Sequence, residues 1–288
     1  MSDIAHTFSP VEFLEYDAQS QQTQQNDSRK RPILLLILNQ PIEDVLVGTE
    51  KKNAFWQAWN YCAVCADGGA NRLYDYLGID EQRTLHVPDL VAGDFDSIRP
   101  GVREFYNSQR TVVEHDNDQV STDFMKCVKF AKQHLAPEFD LIVFGGVGGR
   151  VDQSFYSFHH LFLSAFPARP ATEEFKITGP LGAGSDDSRD TTRVDTQVYL
   201  VSSESVTFLI PEGGAARVRT PLAYLGPTCG LIPLAGPTHI TTHGLEWDVS
   251  DWPTSFGSRL STSNHLLHDF TEIETVGQPI LFTIELRK

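Results

Sequence analysis

The chain has 288 residues, 40% of them hydrophobic and 21% charged, the balance of a soluble chain able to bury the core of one large domain or two ordinary ones. A formal net charge of −15 argues against general binding to nucleic acid or a membrane surface, so a polyanionic substrate would need arginines or a metal to neutralise it locally. No apolar run approaches membrane-spanning length, and "MSDIAHTFSP" lacks the basic-then-apolar plan of a signal peptide, so the expected location is the cytosol.

Residues 1–31 are polar and rich in Gln, Ser and Asp, which reads as a flexible arm. From Ile33 apolar runs of strand length ("ILLLIL", "YCAVCA", "DLVAG", "TVVEH", "DLIVFGG") alternate with helical patterns ("EKKNAFWQAWN", "GANRLYDYLG", "VREFYNSQ", "STDFMKCVKFAKQHL", "VDQSFYSFHHLFLSAF"). In the fourth of these helices Phe124, Cys127, Val128, Ala131 and Leu135 keep helical spacing. Continuous apolar strands alternating with helices predict a parallel sheet covered on both faces, here over residues 32–171. Residues 172–197 are polar and Gly-bearing, and read as a disordered insertion. From 198 to 288 short β-branched runs between Gly, Pro and polar turns predict an all-β domain, a sandwich or a barrel.

Four cysteines (Cys62, Cys65, Cys127, Cys229) are too few for a disulfide scaffold. In "CAVC", on a strand, positions three apart point to opposite faces, so the two thiols cannot share a metal and read as buried free thiols.

Chemistry-bearing residues gather after four successive strands, where an open parallel sheet binds its ligands. These are "DGGANR" (Asp67–Arg72), "GDFDS" (Gly93–Ser97), "DNDQVSTD" (Asp116–Asp123) and "GGVGGRVDQ" (Gly145–Gln153). The last looks like a phosphate loop, yet the chain has no Gly-Lys pair and Arg150 falls inside the dinucleotide frame. Singly, each has a bland explanation: tight turns, helix caps and Asx-turns for the Asp and Gly residues, a surface ion pair for Arg150. Four such ends together point to a nucleotide site. Asp94, Asp96 and Asp123 offer hard oxygens suited to Mg²⁺. The glycines admit backbone N–H groups to phosphate oxygens, and Arg72 and Arg150 stand in for the lysine.

Together with "HGLEWDVSD" and "STSN", these motifs closely resemble thiamine pyrophosphokinase of the eukaryotic type, in order from about Leu34 to Leu286 and interrupted by residues 172–197. The resemblance implies a Rossmann-like α/β domain that binds ATP, a C-terminal β-sandwich that binds thiamine, and a homodimer. The implied reaction is Mg²⁺-dependent transfer of pyrophosphate from ATP to thiamine, giving thiamine diphosphate and AMP. It implies Asp94, Asp96 and Asp123 as metal-holding catalytic residues, with Arg150 beside them. Asp67, Gly68, Asn71, Arg72, Gln119, Thr122, Gly146, Gly148, Gly149 and Arg150 would bind ATP. Asp152 and Gln153 would line the junction with thiamine, and Ser261, Ser263 and Asn264 would bind the aminopyrimidine. Trp247, by itself readable as a half-buried strand aromatic, would face thiamine bound to the other subunit.

Two rival readings fit parts of the chain. "LVAGDFDS" also suits a phosphatase of the haloacid-dehalogenase type with Asp94 as nucleophile, but the acidic pair that family needs falls here in the polar insertion, at 186–187. A non-catalytic nucleotide- or thiamine-binding protein is disfavoured by the intact acidic motifs.

Overall fold

A computed structural model describes residues 4–14, 31–42, 55–56, 59, 62–165 and 196–287. In chain order they form β1 (Ile4–Phe8), a 3-10 turn (Glu12–Leu14), β2 (Ile33–Ile37), β3 (Ala63–Ala66), α1 (Gly68–Leu77), α2 (Asp80–Leu85) and β4 (Leu90–Gly93). Next come α3 (Pro100–Asn107), β5 (Val112–His115), α4 (Asp123–His134), β6 (Asp140–Phe144) and α5 (Val151–Ala165). The remainder is β: β7 (Val198–Val201), β8 (Ser205–Ile210), β9 (Gly214–Arg219), β10 (Leu225–Ile232), β11 (Thr238–His243), β12 (Trp252–Thr254), β13 (Ser261–His265), β14 (Phe270–Gly277) and β15 (Ile280–Leu286).

One ten-stranded mixed sheet, ordered β13-β10-β15-β8-β7-β6-β2-β3-β4-β5, runs through both halves of the chain. From β7 to β5 every neighbouring pair is parallel, as the continuous apolar runs demand. β7 was expected to open the all-β region, but it pairs in parallel with β6, Val198 opposite Leu141, and completes the parallel sheet. A second sheet of five strands, β1-β9-β14-β11-β12, belongs to the β-rich C-terminal region.

Alternate residues of the strands feed two cores. Leu35, Ile37, Cys65, Val91 and Ile142 face one way, and with Ala70 and Leu73 of α1 and Tyr106 of α3 they form an apolar cluster that continues to Val218, Ile240 and Ile273 of the second sheet. Leu34, Leu36, Val64, Leu90 and Val143 face the other way, against Phe124, Cys127 and Ala131 of α4 and Leu161 of α5. Helix α4 is well specified locally: the Thr122 hydroxyl accepts from the Met125 amide, Asp123 lies in the first turn, and Lys132 and His134 lie in the last.

The flexible-arm expectation for residues 1–31 fails at Ile4–Leu14. β1 pairs in parallel with β9, and Phe8, Val11 and Phe13 are buried, so this segment joins the core instead of staying in solvent. Apolar residues hidden among polar neighbours supply that contact. Residues 15–30 lie outside the described residues, as do 166–195, the bulk of the expected insertion, and most of the expected helix around 50–60. Gln197, counted in that insertion, is part of the packed structure: its amide donates to Asp140 Oδ1 (3.0 Å) and its Nε2 to the Thr7 carbonyl (2.9 Å). All four cysteines are free, and only Cys62 is not fully buried. Among the described residues no helix is long and apolar enough to cross a membrane.

Candidate active site

All these strands run the same way, but the direction in which they are added to the sheet reverses at β2: β3, β4 and β5 build outward on one side, and β6 and β7 on the other. The crevice beyond the carboxyl ends of β2 and β6 is therefore the switch point where open α/β sheets bind ligands. The glycine loop after β6 flanks it, with Gly145, Gly148 and Gly149 all at positive φ. A Cβ on Gly149 would fall 2.5 Å from Gln40 Nε2, and one on Gly68 would fall 2.3 Å from Asn39 Nδ2. Asn39 and Gln40, at the end of β2, thus touch both glycine-bearing loops. They went unremarked in the sequence, although the signal was the same as elsewhere: two amides directly after an apolar run.

One carboxylate oxygen from each of Asp67, Asp94 and Asp123 lies within 4.8 Å of the others. Three elements deliver them: the end of β3, the end of β4 and the first turn of α4. Gly93 allows the convergence, because a Cβ there would meet Asp67 Cβ at 2.6 Å and Asp123 Oδ1 at 3.0 Å. Asp67 is buried at a positive φ of 25°, and its two oxygens accept the amides of Ile98 (2.9 Å) and Ser97 (3.0 Å). Burial pushes its carboxyl up to about 6, against those hydrogen bonds and with help from the charge of Asp123. Asp123 is likewise raised, first by burial and then by Asp94. Its Oδ1 is buried and accepts no hydrogen bond.

Beneath the three lies a cation that the sequence reading missed. Lys126 is 1% exposed, with Nζ 3.2 Å from Asp94 Oδ2 and 3.7 Å from Asp123 Oδ1. The clue was its position three residues after Asp123, on the same helix face. A hard-oxygen set with a buried oxygen that accepts no hydrogen bond, and no Cβ filling the cradle, fits a magnesium-sized ion.

The other expected site residues divide. Asp96 is exposed and outside that trio, accepting from the Ser97 hydroxyl at 2.7 Å. That bond, and then Asp67, hold its carboxyl below the ordinary range. Asn71 is spent on structure: it donates to the Ser97 carbonyl (2.8 Å) and accepts the Arg99 amide (3.0 Å). Arg72 donates to Asn39 Oδ1 at 2.9 Å. Thr122 caps α4 and is hydrogen-bonded to His160 at 3.1 Å. Gln119 is exposed on the turn that Asp118 closes by accepting the Val120 and Ser121 amides. Arg150 forks onto Asp152 (2.6 Å) in a fully exposed pair, a weak tie that leaves the guanidinium free to turn. Gln153 is exposed nearby, and the Gly148 amide donates to Ser154 Oγ (3.1 Å).

A second group sits at the far edge of the same sheet. Trp247 is 55% exposed, its ring 5.1 Å from that of His265. Asn264 on β13 is buried and fastens the tryptophan's backbone, while Ser261 and the exposed Ser263, at a φ of 57°, occupy the same strand. In sheet order β13 is seven strands from β3. At ~4.8 Å per step the two groups are of the order of 30 Å apart in one chain.

Two family models match the chain: the thiamin pyrophosphokinase catalytic domain over residues 54–171 and the thiamin pyrophosphokinase vitamin B1 binding domain over 216–280. Among curated proteins, thiamine pyrophosphokinase 3 of Oryza sativa is 32% identical over 238 residues, covering 78% of each chain. The Saccharomyces cerevisiae thiamine pyrophosphokinase is 29% identical over 280 residues, covering 88% of this chain and 85% of its own. The crystal structure of yeast thiamin pyrophosphokinase superposes with a TM-score of 0.75 at 25% identity, covering 100% of this chain and 93% of that one. The Candida albicans structure shares the fold with a TM-score of 0.72 at 22% identity, over 98% of this chain and 93% of that one. With both halves matched in order and the acidic strand ends converging on one point, the chain belongs to the thiamine pyrophosphokinase family.

Proposed function

We propose that this protein is an ATP:thiamine diphosphotransferase, acting as a homodimer whose sites combine the carboxylate cluster of one subunit with Trp247 of the other. The convergence of Asp67, Asp94 and Asp123, with one buried oxygen that accepts no hydrogen bond, is the observation that carries it. The reading takes the parallel half of the sheet as Rossmann-like and the C-terminal region as a β-sandwich.

The thiamine hydroxyl oxygen forms a bond to the β-phosphorus of ATP, the bond from that phosphorus to the α-phosphate oxygen breaks, and AMP leaves. Such a reaction asks for positioning and charge neutralisation more than for covalent catalysis. Asp94 and Asp123, with Asp67 or Asp96 completing the set, would hold Mg²⁺, which supplies Lewis-acid neutralisation of the triphosphate when bound. Asp123, whose affinity for a proton is raised by burial, would take the proton of the thiamine alcohol. Arg150 exchanges its exposed Asp152 partner for phosphate oxygens, and Arg72, held by Asn39, is the second fork. Trp247 offers its open face to the cationic thiazolium or the pyrimidine, contacts worth ~0.5–2 kcal/mol.

Distance supports the homodimer in this reading. A tryptophan of the order of 30 Å from the carboxylates in its own chain would reach a shared thiamine from a second copy.

The test is AMP formation from ATP and Mg²⁺, with and without thiamine. AMP that appears only with thiamine supports the proposal. Inorganic phosphate released whether or not thiamine is present refutes it and favours the phosphatase reading, for which Lys126 beside Asp94 would then be the supporting contact.

A further inference from the structure

We infer that Lys126 is a built-in counter-cation of the carboxylate cluster: it keeps the cluster assembled without a metal and keeps affinity for a free divalent cation low, so that metal enters with the nucleotide. This rests on the reading of Asp67, Asp94 and Asp123 as the metal site.

Lysine is almost never fully buried unless paired, and Lys126 is buried with its ammonium against two of the three carboxylates. Helix α4 fixes it there. Phe124, Cys127 and Val128 bury the helix against β3 and β4, and Thr122 caps the first turn, so the Lys126 stem has no route to solvent. Without it, Asp94 and Asp123 would face each other with Asp67 close by and no cation among the described residues within ion-pair reach of the cluster. Like charges gathered out of water repel strongly, and one of them would have to take up a proton.

The same charge works against an incoming metal. An ion bound by Asp94 and Asp123 would sit close to a fixed ammonium that cannot swing away. Free Mg²⁺ therefore meets a cluster already partly neutralised. The polyphosphate of ATP brings the negative charge that makes room for both cations. Metal and nucleotide then favour each other's binding, and each must raise the other's affinity by the same factor.

The experiment measures Mn²⁺, a paramagnetic stand-in for Mg²⁺, binding to full-length protein without nucleotide by electron paramagnetic resonance. Lys126→Gln removes the charge and Lys126→Arg keeps it. The expected result is binding about tenfold or more tighter in Lys126→Gln and within about threefold of wild type in Lys126→Arg. Equal or weaker binding in folded Lys126→Gln overturns the inference, and so does equal tightening in both variants. Should Lys126→Gln fold only with metal present, recovery of its circular dichroism by millimolar Mn²⁺ supports the inference and failure to recover overturns it. Asp123→Asn in the wild-type background separates the two levels. Mn²⁺ binding that survives this change refutes the metal-site reading itself and the inference with it. Binding lost there while Lys126→Gln stays at the wild-type value refutes only the role of Lys126.

Discussion

Asn264 holds Trp247 by both ends of its peptide unit, accepting from the tryptophan amide at 3.1 Å and donating to its carbonyl at 3.0 Å. The same Oδ1 accepts the His265 amide at 2.8 Å. A buried asparagine thus fixes the backbone beneath an indole that itself projects into solvent, and the two side chains should fail differently. Trp247→Ala removes an exposed ring, so it should leave the melting temperature nearly unchanged while raising the thiamine KM far more than the ATP KM. Asn264→Ala strands buried polar groups at a cost of about 1–3 kcal/mol. It should lower the melting temperature by several degrees and also raise the thiamine KM. Steady-state kinetics and thermal unfolding on both variants check this; a Trp247→Ala effect on ATP alone would count against the assignment.

Gly93→Ala tests the convergence of the carboxylates. The new methyl would collide with Asp67 Cβ at 2.6 Å and with its Cα at 3.3 Å, and backbone at the end of a central strand cannot retreat cheaply. Overpacking of this kind costs about 1–3 kcal/mol. The variant should melt at lower temperature and lose nearly all activity even at saturating Mg²⁺. Near-normal turnover in a folded Gly93→Ala protein would show that the trio need not be so close.

Composite sites predict rescue in trans. Asp94→Asn and Trp247→Ala proteins should each be impaired, the first because it loses a cluster ligand. Mixed and allowed to exchange subunits, they should regain activity well above either parent, since a two-fold heterodimer carries one site with neither change. Tagged heterodimers isolated by affinity provide the measurement. Heterodimers with no gain would place Trp247 away from the site.

Asp140 gives a pH signature far from the chemistry. It opens β6 and is raised above the ordinary carboxylate range by burial, against the Gln197 amide and Arg31 that partly offset it. A raised folded-state value means folding favours the protonated form. Its stabilising contribution is full below the unfolded-state value and is lost as pH rises through the folded-state value. Asp140→Asn keeps an acceptor for Gln197 and removes that dependence. The melting temperature of the variant relative to wild type should therefore shift in the variant's favour between about pH 4 and pH 7. An unchanged or opposite difference would mean that Asp140 is stabilised as a carboxylate.

The parallel half of the molecule could be read from the chain because β2, β3 and β4 are uninterrupted apolar runs buried on both faces, and helix α4 displays its cap and apolar stripe openly. The acidic strand ends were visible for the same reason: Asp94 and Asp123 have no core role to explain them. What escaped depended on partners distant in sequence. Four residues such as Val198–Val201 look alike whether they join a parallel sheet or an antiparallel one, and only pairing with β6 decides. β9, "GAARVR", was missed because its small and basic residues alternate without a strong apolar signal. Lys126 reads as solvent-facing on composition, and only the neighbouring carboxylates make its burial tolerable. The bonds by which the Asn71 amide ties α1 to the loop after β4 were equally invisible, because Ser97 and Arg99 are far from it in sequence.

The position of β15 carries a consequence for biosynthesis. Residues 280–286 lie between β8 and β10, third from one edge of the large sheet, so β8 lacks its partner on that side until β15 has been made. At the other end, β1 must wait for β9, which begins at Gly214. A nascent chain emerging from the ribosome can close the strands from β2 to β6 early, but β8 and β10 keep unpaired edges until residues 280–286 are available. The vulnerable interval for aggregation or proteolysis therefore lasts until β15 has emerged. A truncation that removes β15 should cost the whole C-terminal half of the sheet, and with it the surface that presents Trp247.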